Sequence, residues 1–296
     1  MNNELAVRRK VGIEMEGYIE NYPEDVELVG VKIKQDGSLD NCDWDYLNEP
    51  FGVELCTEPM TDISLLREVW KDMKHNNWTV DDRAGTHIHV DVSDFSVEEK
   101  VKLLRFGKGI ERIIFLFVDD YRNNNEYCYP LHKEWRKVFR GDNKYADIDW
   151  NSITDDEFEG VNEYLYQRFR NPDRYYSDRE QVIWNGKYQW MNIFGSRYPT
   201  VEYRLYQAVE DVEVLIQQAL MSEAIVNLVK NHSLAQLEYI IRELYKQETV
   251  DATVEMFFET LGLDFKLEVR GERAQKYLAG KLAAKNAVSE VVEQGA

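Results

Sequence analysis

Four short segments place ionisable side chains two or four residues apart in runs that read as β-strands. They are Gly12-Ile13-Glu14-Met15-Glu16-Gly17, Val53-Glu54-Leu55-Cys56-Thr57-Glu58-Pro59, Gly85-Thr86-His87-Ile88-His89-Val90-Asp91 and Thr200-Val201-Glu202-Tyr203-Arg204-Leu205. Successive strand side chains alternate faces, so i, i+2 and i+4 share one face. Each segment therefore shows ionisable groups to one side and apolar groups to the other. If the four strands share a sheet, that face carries at least five acids, two imidazoles and a guanidinium. Carboxylates packed that closely cannot all stay ionised without a cation among them. A bound divalent metal is the physical resolution, and metal beside an arginine suits a nucleoside triphosphate.

Each piece also has an ordinary reading. Glu14 with Glu16, and Glu54 with Glu58, read equally as wet faces of amphipathic strands. His87 and His89 are more specific, being two of five histidines and lying just after Gly85-Thr86. A His-x-His pair could hold zinc, but the partners at hand are carboxylates, which favours Mg²⁺ or Mn²⁺. Glu202 and Arg204 could form a plain surface ion pair; beside phosphate, Arg204 would stabilise the transferring group. Asp36 sits in Gln35-Asp36-Gly37-Ser38, a turn sequence, and is also a candidate base. Lys187, Tyr188 and Asn192 precede the Glu202 strand and could contact substrate. Arg168, Arg170, Arg174 and Arg179 form the most basic local patch, either a solvated helix end or a clamp for phosphate or carboxylate.

Positioning these groups requires a sheet. Strands are expected over 11–20, Leu28–Ile33, 52–58, 86–92, 187–194 and 200–207. Asp62–Asn76 has helical spacing, and Ser96-Val97-Glu98-Glu99 is a capping box opening a helix to about Tyr121. Residues 122–150 lack a clean period and read as a long loop that could serve as a lid. Asp155–Phe169 reads as helix, as do Leu215–Lys230, Leu234–Gln247, Val250–Leu261 and Glu272–Val292. The order implies an α+β architecture, an antiparallel or mixed sheet with helices segregated to one side. The expected organisation is 1–210 as the sheet core with helices and insert, and 211–296 as a helical region packed on the same domain.

The 296 residues are 44% apolar, enough for a sizeable core. A net charge of −19 repels naked nucleic acid and anionic membranes, so neither is an expected partner. Three cysteines (Cys42, Cys56, Cys128) without CxxC spacing suit a reducing compartment, and a cytoplasmic location is expected. The start of the chain lacks an apolar signal core and no window approaches 18 apolar residues, so no membrane span is expected. The C-terminal helices could supply an oligomer interface.

Taken in order, GIEMEGY (12–18), DGSL (36–39), GVELCTEPM (52–60), GTHIHVDVS (85–93), KYQWMNIF and TVEYRLYQ (within 187–207) resemble the amidoligase family of carboxylate–amine ligases. That family is distantly related to glutamine synthetase and glutamate–cysteine ligase. The resemblance spans nearly the first two-thirds of the chain; the helical region after about 210 carries no matching motif. It implies a curved, mostly antiparallel sheet of the glutamine synthetase catalytic-domain type, with helices on its convex side and ATP and divalent ions on its concave face. By resemblance, Glu16, Glu54 and Glu58 would hold one metal, and Glu14, His87 and Glu202 another, the two sets being exchangeable between neighbouring ions. His89 and Arg204 would contact phosphate.

The expected activity is ATP-dependent amide formation through an acyl phosphate, from a small-molecule or peptide carboxylate and an amine. Asp36 or a carboxylate of the long loop would take the amine proton. A phosphotransferase of guanidino-kinase type is the alternative, predicting a stable phosphorylated product. A non-catalytic scaffold holding a structural cation is another. A zinc hydrolase using His87 and His89 is weakened by the lack of a HExxH helix.

Overall fold

The computed structural model describes residues 6–20, 28, 30–36, 38–39, 50–122, 125, 128, 130–131, 189–193 and 199–294. In chain order the elements are β1 (Ala6–Ile19), β2 (Val31–Gln35), β3 (Phe51–Thr57), β4 (Met60–Asp62), α1 (Leu66–His75), β5 (Gly85–Asp91), α2 (Val97–Ile114), β6 (Met191–Asn192), β7 (Thr200–Gln207), α3 (Val212–Asn231), α4 (Leu234–Leu244), α5 (Val250–Leu261) and α6 (Glu272–Gln294). Chain contacts divide them into two compact units, one of residues 1–91 and 200–224, the other of 92–199 and 225–296.

In the first unit the strands follow the order β2-β3-β1-β5-β7, with β4 pairing the start of β1. Every one of these pairings is antiparallel. Long β1 is the organiser, because its 14 residues reach three partners. Its apolar set, Val11, Ile13 and Met15, is at most 2% exposed. Ile88 and Val90 on β5 and Val201 and Tyr203 on β7 are equally buried. That alternation turns Glu14, Glu16, His87, His89 and Glu202 to the opposite face.

The apolar face is covered by helix. α1 buries Leu66, Trp70 and Met73, at the i, i+4, i+7 spacing of one helical stripe. Trp70 Nε1 donates to Glu210 O at 3.0 Å. The first half of α3 buries Leu215, Ile216, Ala219 and Ser222, and Ser222 Oγ meets Tyr206 OH at 2.9 Å. Glu223 Oε1 accepts from the backbone N–H of Arg8 (3.0 Å) and Arg9 (3.2 Å).

β5 and β7 fall out of step between Thr86 and Ile88. His89 pairs Glu202, Ile88 pairs Tyr203, but Thr86 pairs Tyr206, so Arg204 and Leu205 together oppose His87. This is a β-bulge, which re-aims the strand beyond it. Glu202 and Arg204 keep the His87 face, while Tyr206 turns to the helix side.

In the second unit, the predicted capping box is present: Glu99 N donates to Ser96 Oγ, and Ser96 N to Glu99 Oε2. α2 ends at Ile114 and passes into a 3₁₀ turn over Phe115–Phe117, rather than running to Tyr121. Phe117 stacks on Phe257 and meets Phe258 edge-on, with centroids 6.1 and 5.3 Å away. α4 starts with a second capping box, Ser233 with Gln236. α5 ends at Gly262, whose left-handed φ of 70° closes the C-cap.

One further expectation needs correction. Leu28–Ile33 is not one strand: Gly30 turns at φ 74° and β2 begins at Val31. By length and composition α3 is apolar enough to cross a membrane, and 67% of its most apolar stretch is buried inside the structure, as in a core helix. Asp155–Phe169, Lys187, Tyr188, the four-arginine patch and most of 122–150 lie outside the described residues.

Candidate active site

The polar face of the first unit is a grid whose rows cross the strands. One row reads Lys34 on β2, Glu54 on β3 and Glu16 on β1. It continues through Gly85, whose N–H donates to Glu16 Oε2 at 2.7 Å, to Gln207 on β7. The next row reads Lys32, Cys56, Glu14 and His87, with Arg204 at the bulge. A third holds Gly12, His89 and Glu202.

Glu14, His87 and Glu202 converge. Each offers one ligand atom, and all three atoms lie within 4.8 Å of one another. His87 Nδ1 is 3.3 Å from Glu14 Oε2 and 3.8 Å from Glu202 Oε1, and its Nε2 is 3.8 Å from Glu16 Oε1. His89 Nδ1 lies 3.3 Å from Thr200 Oγ1. Arg204 pairs with Glu202, and both are buried.

Burial alone would raise the Glu14 carboxyl, but the hydrogen bonds and charge of His87 and His89 outweigh it and hold the group below the usual carboxylate range. Burial works against the His89 cation, yet Glu14 and Glu202 together raise its pKa. The site therefore keeps its carboxylate anionic and attracts positive charge. His89 Nε2 is buried and sits 3.6 Å from Glu14 Oε2, the contact through which it helps lower the Glu14 pKa. The Glu14 and Glu202 carboxylates and one His87 nitrogen are a donor set that fits a divalent cation, with Mg²⁺ or Mn²⁺ the better match to its oxygens.

The second expected metal set is only partly assembled. Glu16 and Glu54 pair across β1 and β3. Glu58 lies past the end of β3, 63% exposed at its side chain and 3.0 Å from Lys32 Nζ. Cys56 takes the nearer place, and Glu14, Glu54 and Cys56 form a second close group. Lys34 Nζ already reaches both Glu54 Oε2 (3.2 Å) and Cys56 Sγ (3.0 Å). Burial pushes the Cys56 thiol up to about 11, against the pull of Lys34.

Asp36 stands beyond the Glu16 row. Its N–H donates to Gly52 O, and its Oδ1 accepts from Ser38 N (2.9 Å) and Ser38 Oγ (2.7 Å), so it is foremost the turn residue. Asn192 is buried on β6, within the second unit.

The sequence reading missed Tyr18, although GIEMEGY places it four residues after Glu14 on the same face. Tyr18 OH donates to Asp81 Oδ2 at 2.9 Å, and burial together with Asp81 pushes its hydroxyl up to about 12. Arg83 caps the cluster, 5.5 Å above the Tyr18 ring. Asp81 and Arg83 carried no signal, because they fall in a turn outside every strand motif. Lys34 was legible only through its register with Glu54.

The ordered Gly-x-Glu-x-Glu, His-x-His and Glu-x-Arg strands, now seen on one sheet face, coincide with a known family. The family described as "Putative amidoligase enzyme" matches residues 7–226. This chain belongs to the amidoligase family. The match takes in the strands of this face and most of α3. Among curated proteins none matches. Among solved structures the chain is similar to a bifunctional glutathione synthetase from Pasteurella multocida, at 10% identity and a TM-score of 0.38. That likeness covers 93% of this chain and 47% of the other, so this chain spans about half that protein's length. A likeness so distant carries no argument about fold or activity.

Proposed function

We propose that the protein is an ATP-dependent carboxylate–amine ligase that forms an amide bond through an acyl phosphate. The observation that carries this reading is the convergence of Glu14, His87 and Glu202 within 4.8 Å, with Arg204 against Glu202, in an amidoligase. We further read the sheet as the glutamine synthetase catalytic-domain type, with nucleotide on the Glu14 face.

Carboxylate and amine at neutral pH form a salt, not an amide, so the reaction needs an activated acyl group. In the first step a substrate carboxylate oxygen bonds to the γ-phosphorus, the bridging P–O bond breaks and ADP leaves. In the second, the amine nitrogen bonds to the acyl carbon, the C–O bond to phosphate breaks and inorganic phosphate leaves. The nitrogen gives its proton to a carboxylate of this face. Glu14, His87 and Glu202 would hold a divalent ion, which when bound offsets phosphate charge. Arg204 and His89 supply the positive groups that orient the γ-phosphoryl oxygens. Glu202 holds Arg204 in place, and the Gly85 N–H holds Glu16.

Calorimetry with a non-hydrolysable ATP analogue, with and without Mg²⁺, tests the reading on wild type, Glu14→Gln and Glu202→Gln. Metal-dependent binding that both substitutions abolish is expected. ADP release should then require a carboxylate and an amine together. A folded wild type that binds no nucleotide refutes the ligase. A stable phosphorylated product without amide would point to the phosphotransferase.

A further inference from the structure

The bulge in β7 brings a residue to the polar face that strand alternation from Glu202 would send to the helix side. Gln207 pairs with Gly85, and Gly85 shares a face with His87. Gln207 therefore lies in the row of Gly85, Glu16 and Glu54. It is 5% exposed, and its Oε1 is fully buried with no hydrogen-bond partner among the described residues. Buried amide oxygens are nearly always paired, so an orphan one on a polar face is an acceptor that a ligand completes.

The chemistry of the two ends of the face differs. The rows of His87 and His89 carry imidazoles and the Arg204 guanidinium, which suit phosphate. The Gln207 row offers acceptors, the Gln207 carboxamide and the Glu16 and Glu54 carboxylates. Its described cation, Lys34, is at the far edge and engaged with Glu54. Acceptors are what an N–H group needs. A neutral carboxamide also holds an amine without adding a further negative charge, which would oppose the loss of the amine's proton.

We propose that Gln207 Oε1, in the row with Glu16, binds the N–H of a primary amine substrate, so that this end of the face is the amine subsite. The inference rests on the ligase reading above. It places the nucleophile on the β5–β7 side, at the opposite end from the Glu202 row.

The test uses the full chain with Mg²⁺ and a non-hydrolysable ATP analogue. Ammonium, methylamine, putrescine and the free amino acids are titrated as probes by thermal shift. At least one amine raises the wild-type Tm, and Gln207→Leu weakens that amine's apparent Kd roughly tenfold or more while keeping the nucleotide-induced shift. Gln207→Glu, which keeps an acceptor, retains amine binding. The proposal is overturned if Gln207→Leu binds the amine as wild type does. It is equally overturned if that variant loses the nucleotide shift as well, because the role is then structural. A nucleotide shift with no amine response from any probe removes the amine subsite and leaves the ligase standing. No nucleotide shift in wild type removes both.

Discussion

Gly17 separates Glu16 from Tyr18, and alanine there is a sharp test of how the sheet face is held. A Cβ built on Gly17 would lie 2.5 and 2.6 Å from two ring carbons of Trp78 and 2.8 Å from Thr79 O. Ordinary contacts begin near 3.4 Å. Neither neighbour yields cheaply. Trp78 is 8% exposed. Thr79 is clamped to Tyr18 by two backbone hydrogen bonds, N–H to Thr79 O at 2.9 Å and Thr79 N–H to Tyr18 O at 3.0 Å. Overpacking of this kind costs about 1–3 kcal/mol. Alanine also restricts the unfolded chain, which returns roughly 0.4–1 kcal/mol. The clash wins, and Gly17→Ala should lose about 1–2 kcal/mol net, a fall in Tm of roughly 2–8 °C. Urea melts followed by tryptophan fluorescence measure it. The cycle with Trp78→Leu locates it: the alanine should cost less when the indole is gone, with the remainder due to Thr79 O. A Gly17→Ala protein as stable as wild type, or equal costs in both backgrounds, would show that the close approach of Trp78 is not what requires glycine here.

Glu14→Gln should abolish Mg²⁺-dependent nucleotide binding, whereas Glu58→Gln should change the Kd less than about threefold, since Glu58 is exposed and tied to Lys32; calorimetry compares them. Gly262→Ala should cost about 1 kcal/mol through backbone strain alone, because φ is 70° and nothing lies within 4 Å of the new methyl; a denaturant melt with an unchanged midpoint would contradict this. Burial raises the Glu99 carboxyl, but its hydrogen bonds to Lys230 Nζ and Ser96 N prevail and lower it. A depressed folded pKa gives stability that is present above the unfolded value near 4.3 and lost as pH falls through the folded one. Glu99→Gln keeps an acceptor for the Ser96 N–H, as Gln236 does in α4, and removes only the charge facing Lys230, so it should lose roughly 0.2–1 kcal/mol at pH 7 and flatten the acid side of a stability–pH curve; a parallel curve would refute the assignment.

The starts of α2 and of the helices after Asp211 were legible because long amphipathic runs and caps act locally. Ser96 with Glu99 and the Leu234 and Val250 starts show it, each falling where the sequence places it. β2 was not, because Leu28-Val29-Gly30-Val31 reads as one apolar run until the positive φ of Gly30 breaks it. Within the site, Glu14, His87 and Glu202 could be nominated from i, i+2 spacing alone. Their neighbours could not. Cys56 replaces Glu58 beside Glu54 because β3 ends at Thr57, and a Glu-Pro that looks continuous with the strand falls past its last pair. Lys34 depends on a register between β2 and β3 that local sequence does not encode.

The bulge at Arg204–Leu205 is the clearest case of information held only in three dimensions. Alternation from Glu202 predicts Tyr206 on the polar face and Gln207 behind it. The bulge reverses them, and each then meets chemistry suited to it. Tyr206 finds Ser222 on α3, where burial raises its hydroxyl pKa and keeps it a neutral partner. Gln207 takes its place in the Glu16 row. A regular strand would instead put a phenol among the acids and bury a carboxamide against helix. One extra residue thus lets Thr200–Gln207 serve two surfaces: Glu202 and Arg204 face the imidazoles, and Tyr203 and Tyr206 hold the sheet to its helix. Deleting Leu205 removes the extra residue, and plain alternation then keeps Glu202, Arg204 and Gln207 on one face and Tyr203 and Tyr206 on the other, the faces they hold now. Mg²⁺-dependent nucleotide binding should therefore persist in the deletion; its loss would show that the bend at the bulge, not the choice of face, positions Glu202 and Arg204.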